Sequence, residues 1–273
     1  MDPSAGAIDY GAITERQQAS WASGDFNELA RQVMTVSAAL IDAVDPHANQ
    51  RVLDVACGSG NAALIAARRY CDVVGVDYVP SLVERAKVRA QAEGSKIAFQ
   101  VGDAQKLDFP DASFDVIVSV FGIMFAPDQE KAAGEALRVC RPGGTIGICS
   151  WTPDGFGGDI FRAMGKYVPP PPGLNPPSRW GTDAGLAELL GAGTKSITAQ
   201  RKRFHQYYRS VEHCWEVLSG YFGPLHRALQ GMDAAERENV KRDYLEVLRK
   251  YNRATDGTAV LECEYFQAVA KRS

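Results

Sequence analysis

The chain has 273 residues, 45% apolar and 23% charged, with a formal charge of −3. That length suits one sizeable domain carrying an insertion, and the mixed charges give nucleic acid no basic face to bind. No apolar run approaches the roughly 20 residues that span a bilayer, and Met1-Asp2-Pro3-Ser4 lacks the positive-then-apolar pattern of a secretory signal, so the expectation is a cytoplasmic protein. The cysteines, Cys57, Cys71, Cys140, Cys149, Cys214 and Cys263, show no C-x-x-C spacing. They read as free thiols of a reducing compartment, with no metal site.

In chain order, Tyr10 to Gly24 reads as an arm containing Trp21 and a possible cap at Thr14. It is either a helix packed on the domain or a lid over a ligand. Asp25 to Val44 carries apolar residues at helical spacing, with Asp25 and Glu28 as a capping pair. A regular alternation follows. Arg51–Ala56, Val73–Asp77, Ile97–Val101, Phe114–Val120 and Thr145–Trp151 read as strands. Asn61–Tyr70, Pro80–Glu93 and Asp128–Cys140 read as helices, and Pro142-Gly143-Gly144 as a turn. Such alternation implies a parallel sheet with right-handed crossovers. The stretch from Val168 to Pro177 is too rich in proline for regular structure. Beyond it, Thr182–Leu190 reads as a helix and Lys195–Phe204 as a strand. Ser210–Phe222 and Asp233–Asn252 read as helices, the second capped by Asp233 with Glu236, and Val260–Ala270 as a closing strand.

A parallel sheet places ligands at the carboxyl ends of its strands. The first such end is Asp54-Val55-Ala56-Cys57-Gly58-Ser59-Gly60-Asn61. Its glycines allow close backbone approach, and the next helix offers free N–H groups. Asp77 ends the second strand, where a carboxylate can accept both hydroxyls of a ribose. These features alone fit two cofactors. Gly58-x-Gly60-x-x-Ala63 also satisfies the dinucleotide fingerprint, with Asp77 suiting NAD. Asp54 discriminates. A carboxylate just before the glycines repels a pyrophosphate but favours the sulfonium and ammonium of S-adenosylmethionine. Asp103, after the third strand, can read an adenine edge, and Phe121, after the fourth, stands where a methyl group would emerge.

The run Val52-Leu53-Asp54-Val55-Ala56-Cys57-Gly58-Ser59-Gly60-Asn61 resembles motif I of class I S-adenosylmethionine-dependent methyltransferases. The likeness is strongest to the type 11 small-molecule group that includes the ubiquinone and menaquinone biosynthesis enzymes. It continues through Val74-Gly75-Val76-Asp77, Gly102-Asp103-Ala104, Phe109 to Asp115 and Arg138 to Gly144. The resemblance implies an α/β, Rossmann-like, seven-stranded, mostly parallel sheet of order 3-2-1-4-5-7-6. Strand 7 would be antiparallel, helices would cover both faces, and a helical insertion would separate strands 6 and 7. It implies an arm or lid over 1–45 and a methyltransferase domain over 46–273, with cap segments at 152–193 and 204–257. It implies that Asp54, Ala56, Gly58, Ser59 and Gly60 hold the methionine part of S-adenosylmethionine. Asp77 would hold the ribose, Tyr78, Asp103 and Ala104 the adenine, and Val120 and Phe121 the methionine end. Trp21 would belong to an arm closing over the cofactor.

A sulfonium is electrophilic already, so the protein mainly aligns a nucleophile, and S-adenosylhomocysteine leaves as product. His47, His205, His213 and His226 all read as structural or surface residues, so no catalytic base is assigned. Trp151, Phe156, Trp180, Tyr207, Tyr208, Trp215, Tyr221 and Phe222 make the later segments aromatic. They fit either an apolar or planar small-molecule acceptor or the packing of helices on the sheet or on a partner subunit. The chain is expected to be a monomer or homodimer. Two alternatives stay open: an NAD(P)-dependent oxidoreductase, although no Tyr-x-x-x-Lys pair is present, and a module that binds S-adenosylmethionine without turnover.

Overall fold

The computed structural model describes residues 8–273, so Met1-Asp2-Pro3-Ser4 and the first seven residues of the arm lie outside it. Val52, Leu53, Val73 and Val118 are buried on strands covered on both faces, the condition under which a parallel sheet reads as near-continuous apolar runs. The strands are β1 (Arg51–Val55), β2 (Asp72–Asp77), β3 (Ile97–Val101), β4 (Phe114–Val120), β5 (Cys140–Trp151), β6 (Thr194–Tyr208) and β7 (Ala259–Arg272). Their order is β3-β2-β1-β4-β5-β7-β6, as expected. β1 pairs parallel with β2 and β4, while β7 runs antiparallel to β5 and β6. The chain therefore reverses its direction of travel across the sheet at β1 and β4, and the crevice beyond their carboxyl ends is the natural ligand site.

Three helices precede the sheet: α1 (Tyr10–Ala22), α2 (Asn27–Ala30) and α3 (Met34–Val44). The sequence suggested one helix from Asp25 to Val44; instead a 3-10 turn at Arg31–Val33 divides it. The break falls where the Ala30 carbonyl receives the Asn61 side-chain amide at 2.7 Å. The Asp25–Glu28 capping pair does not form. Asp25 accepts from the Asn27 N–H and from the Arg85 guanidinium, and Glu28 pairs with Arg31. Thr14 is not a cap either, because Asp9 caps α1 by accepting from the Ala12 N–H.

Between strands lie α4 (Asn61–Ala67), α5 (Pro80–Ala92) and α6 (Gln129–Val139); the later helices are α7 (Phe156–Gly165), α8 (Asp183–Leu190), α9 (Val211–Tyr221), α10 (Gly223–Gln230) and α11 (Ala234–Tyr251). β5 takes in Pro142-Gly143-Gly144, expected as a turn, because Cys140 already pairs with Phe114 across an irregularity in register. α7 was not foreseen, since Gly157 and Gly158 are poor helix formers. They are needed where they stand: a Cβ on Gly157 would meet the Trp151 ring at 2.4 Å, and one on Gly158 the Pro153 carbonyl oxygen at 1.9 Å. Asp159 then locks α7 to α11 through Lys250 at 2.6 Å and Tyr251 at 2.8 Å.

α11 opens with the expected reciprocal cap: Asp233 accepts from the Glu236 N–H at 2.8 Å, and Glu236 from the Asp233 N–H at 2.9 Å. We expect Asp233→Ala to cost about 1 kcal/mol of stability, read as a lower urea midpoint at constant slope.

Candidate active site

The loop after β1 is shaped by backbone conformations that most residues avoid. Ala56 has φ +53° and Gly60 φ +86°. Gly60 also has no room for a side chain, since a Cβ there would lie 2.9 Å from the Phe99 ring. The loop is bolted from behind by Arg89 of α5. Its Nη1 donates to the Ser59 carbonyl at 2.7 Å, the Ser59 hydroxyl at 3.0 Å and the Asn61 side-chain oxygen at 2.8 Å.

Two carboxylates complete the loop. Asp54, at 2% exposure, accepts from the Ala63 N–H at 2.9 Å, in the first turn of α4. Asp77, at 5%, accepts from the Gly58 N–H at 2.8 Å and the Val79 N–H at 2.9 Å. Burial pushes Asp54 up to about 7, partly opposed by the Ala63 N–H and assisted by the nearby Asp77 charge. Burial likewise pushes Asp77 up to about 6, against the pull of its two backbone donors. The Cys57 thiol is held well above its ordinary range by burial first, then by both carboxylates.

Beyond β3, Asp103 accepts from the Gln105 N–H at 2.9 Å and from its side-chain amide at 3.1 Å. The same amide donates to Thr14 of α1 at 3.0 Å, and Gln18 of α1 donates to the Tyr78 carbonyl. The arm is therefore fastened across the strand ends. It covers a cavity of about 920 Å³, the part open to solvent included. Of the twelve expected site residues, eleven line that cavity: Trp21, Asp54, Ala56, Gly58, Ser59, Asp77, Tyr78, Asp103, Ala104, Val120 and Phe121. Gly60 does not; it turns the chain behind the wall. Among the described lining residues Asp54, Asp77 and Asp103 are the only charged side chains. Such a donor set suits a ligand with positive charge and hydroxyls, and opposes a pyrophosphate.

Phe26, Val33, Ser37, Leu82, Gln105 and Phe125 also line the cavity, beyond the residues expected from sequence. Gln105 and Leu82 follow Asp103 and Asp77 closely, so the strand-end rule could have reached them. Val33 and Ser37 arrive only through the packing of α3, which leaves no local signal.

A second cavity of about 630 Å³ adjoins the first. Trp21, Phe26, Val33, Phe121 and Phe125 line both. Phe121 has φ +52°, strained for a bulky residue, and its ring stacks on Trp151 with centroids 4.1 Å apart. Of the eight aromatics singled out from sequence, Trp151, Phe156 and Phe222 line the second cavity. Trp180 and Tyr208 are buried elsewhere, Trp215 packs on Tyr244, and Tyr207 and Tyr221 face solvent. None of the four histidines lines either cavity. His47 pairs with Asp45, His205 meets Arg253, His213 receives the Arg209 N–H, and His226 lies against the Ser219 carbonyl.

The raised carboxylates carry a sign for stability. Between about pH 4, where an unfolded Asp releases its proton, and about pH 7, the folded chain keeps a proton on Asp54 that the unfolded chain has lost. This contribution is therefore full below that window and is lost as pH rises through it. Asp54→Asn, which keeps an acceptor for the Ala63 N–H but cannot ionise, should flatten the fall in Tm of the ligand-free protein from pH 5 to 7.5; an unaltered slope would remove Asp54 as its source. Arg89→Ala leaves the Ser59 and Asn61 oxygens without their donor and should cost about 1–3 kcal/mol, with faster amide exchange confined to the loop.

The chain is similar to known proteins in the same region and beyond it. Residues 53–148 match a family model described as a methyltransferase domain. An uncharacterized protein of Mycobacterium tuberculosis is 36% identical over 269 residues, with 95% of each chain covered. A demethylmenaquinone methyltransferase of Deinococcus radiodurans is 37% identical over 128 residues, 45% of this chain and 53% of that one. The YcgJ protein of Bacillus subtilis shares the fold at a TM-score of 0.58 and 20% identity, over 86% of this chain and 97% of its own. Its motif region, its strand order and these relatives together give one assignment: the chain belongs to the class I S-adenosylmethionine-dependent methyltransferases, in the type 11 group.

Proposed function

We propose that this enzyme methylates a small, largely apolar molecule seated in the second cavity, with S-adenosylmethionine in the acidic cavity beside it. The observation that carries this reading is the shared wall. An acidic cavity and an aromatic one meet at Trp21, Phe26 and Phe121, so a cationic cofactor and an apolar acceptor would touch there. In this reading the arm up to residue 45 covers both cavities, while segments 152–193 and 204–257 supply the acceptor side.

When bound, S-adenosylmethionine supplies a methyl carbon on a positively charged sulfur, electrophilic without further activation. The chain's own task is alignment and exclusion of water. Each Asp77 oxygen accepts one backbone N–H, so each keeps acceptor capacity for a ribose hydroxyl. The Asp103 and Ala104 turn would meet the adenine edge with Tyr78 near it. Asp54, Gly58 and Ser59 would face the methionine end, and Val120 and Phe121 the junction. None of the described residues lining the second cavity carries a titratable side chain, which suits an acceptor whose nucleophile is already ionised or carries a free lone pair. The Deinococcus radiodurans relative is named for methylating demethylmenaquinone. A planar ring acceptor suits the aromatic lining here too.

A screen of phenols, quinols, fatty acids and amines for S-adenosylhomocysteine release tests the reading. Turnover should favour compact aromatic acceptors; tight cofactor binding with no turnover on any class would defeat it. Asp77→Ala loses charge-assisted contacts and should raise the Kd for S-adenosylhomocysteine by on the order of ten- to a hundredfold. An unchanged Kd in calorimetry would place the cofactor elsewhere.

A further inference from the structure

The second cavity is walled by Trp, Phe, Leu, Ile, Val and Gly, with one polar side chain among its described lining residues, Gln206. Gln206 is 6% exposed. It stands on the extension of β6 that the sequence did not show, paired with Leu261, and shares its sheet face with Phe204, whose ring lies 5.9 Å from Trp151. A buried amide in such a place is costly unless its groups are satisfied. Half of it is. The Tyr208 hydroxyl donates to Gln206 Oε1 at 3.1 Å, and the Cys214 thiol lies beside that same hydroxyl. In this arrangement Oε1 is the accepting end of the amide and Nε2 the donating end. The two hydrogens on Nε2 have no acceptor among the described residues, and Nε2 is not one of the fully buried unpaired polar atoms, so it keeps some open surface.

We propose that Gln206 is the residue that selects and orients the methyl acceptor, by donating from Nε2 to one oxygen of an otherwise apolar, planar molecule. The acceptor class is accordingly an aromatic carboxylate, phenolate or ring carbonyl. Its ring lies against the Phe121–Trp151 stack and its oxygen reaches Gln206. This rests on the second cavity being the acceptor site. Tyr208 acts one step back, as a positioning residue for the amide. The asymmetry of a single amide donor on an otherwise apolar wall is what makes the selection sharp: a hydrocarbon offers Nε2 no acceptor, and a cationic or donor-only molecule leaves two donors facing each other.

The test uses equilibrium dialysis of the full chain in saturating S-adenosylhomocysteine, with 2-naphthoate and naphthalene as matched probes. The wild type should hold 2-naphthoate about tenfold or more tighter than naphthalene. Gln206→Leu should bring the two within about threefold, and Gln206→Glu should reject 2-naphthoate, each with the S-adenosylhomocysteine Kd kept within about twofold of wild type. That Kd is also the control for folding, and Gln206→Met replaces the leucine variant if it is lost. Tyr208→Phe should reduce the preference partway while keeping its sign. A preference for 2-naphthoate that survives Gln206→Leu undiminished overturns the role of Gln206 alone. Failure of both probes to bind the wild type, while S-adenosylhomocysteine binds, overturns the second cavity as acceptor site and this proposal with it.

Discussion

The Asp77 carboxylate, buried at the end of the second strand and held by the N–H groups of Gly58 and Val79, is the constraint around which the rest is arranged. A buried charge must be met by donors or it will neutralise itself. Here the protein offers donors from two directions, its own following turn and the glycine loop of the neighbouring strand. The loop cannot reach Asp77 unless Ala56 and Gly58 turn through positive φ, and it cannot hold that shape unless Arg89 pins Ser59 and Asn61 behind it. Asn61 in turn takes the Ala30 carbonyl and breaks the arm into segments. One desolvated carboxylate thus reaches, through four linked hydrogen-bonding groups, to the geometry of the N-terminal cover.

The carboxylates and the aromatics divide the crevice into two solvents. On one side three acidic groups face a space with no compensating lysine or arginine among its described lining residues. On the other, the described lining is rings and aliphatic chains with one amide. A reaction that brings a cationic donor to an anionic acceptor neutralises both charges as it proceeds, and one with a neutral acceptor disperses the charge in the transition state; either gains from a dry partition. Phe121 is the partition. Its strained backbone is held by the Phe121 N–H donating to the Cys149 carbonyl at 2.9 Å and by the stack on Trp151.

Most of the sheet was legible because parallel strands buried on both faces, such as Phe114–Val120, write themselves as apolar runs, and because the less buried Ile97–Val101 lies between Ser95-Lys96 and Gly102-Asp103. The acidic residues were legible because Asp54, Asp77 and Asp103 fall at three successive strand ends, in register with one another and with the glycine loop. What escaped was whatever depends on contact between distant segments. α7 hides behind its glycines, whose value is the room they leave for Trp151 and Pro153. The division of the helix from Asp25 to Val44 comes from Asn61, far along the chain. Gln206 sits in a stretch of alternating charge and aromatics that gives no hint of which face turns inward.

The fastening of α1 has a kinetic meaning. Thr14 is tied to the Gln105–Asp103 turn, Gln18 to the Tyr78 carbonyl, and Trp21 closes both cavities at once, edge-on to Phe26, Phe125 and Phe222. One helix therefore borders both cavities. On the proposed reading, the spent cofactor and the methylated product would leave past the same handful of side-chain contacts on α1, and the rate at which those contacts release together would set a ceiling on turnover.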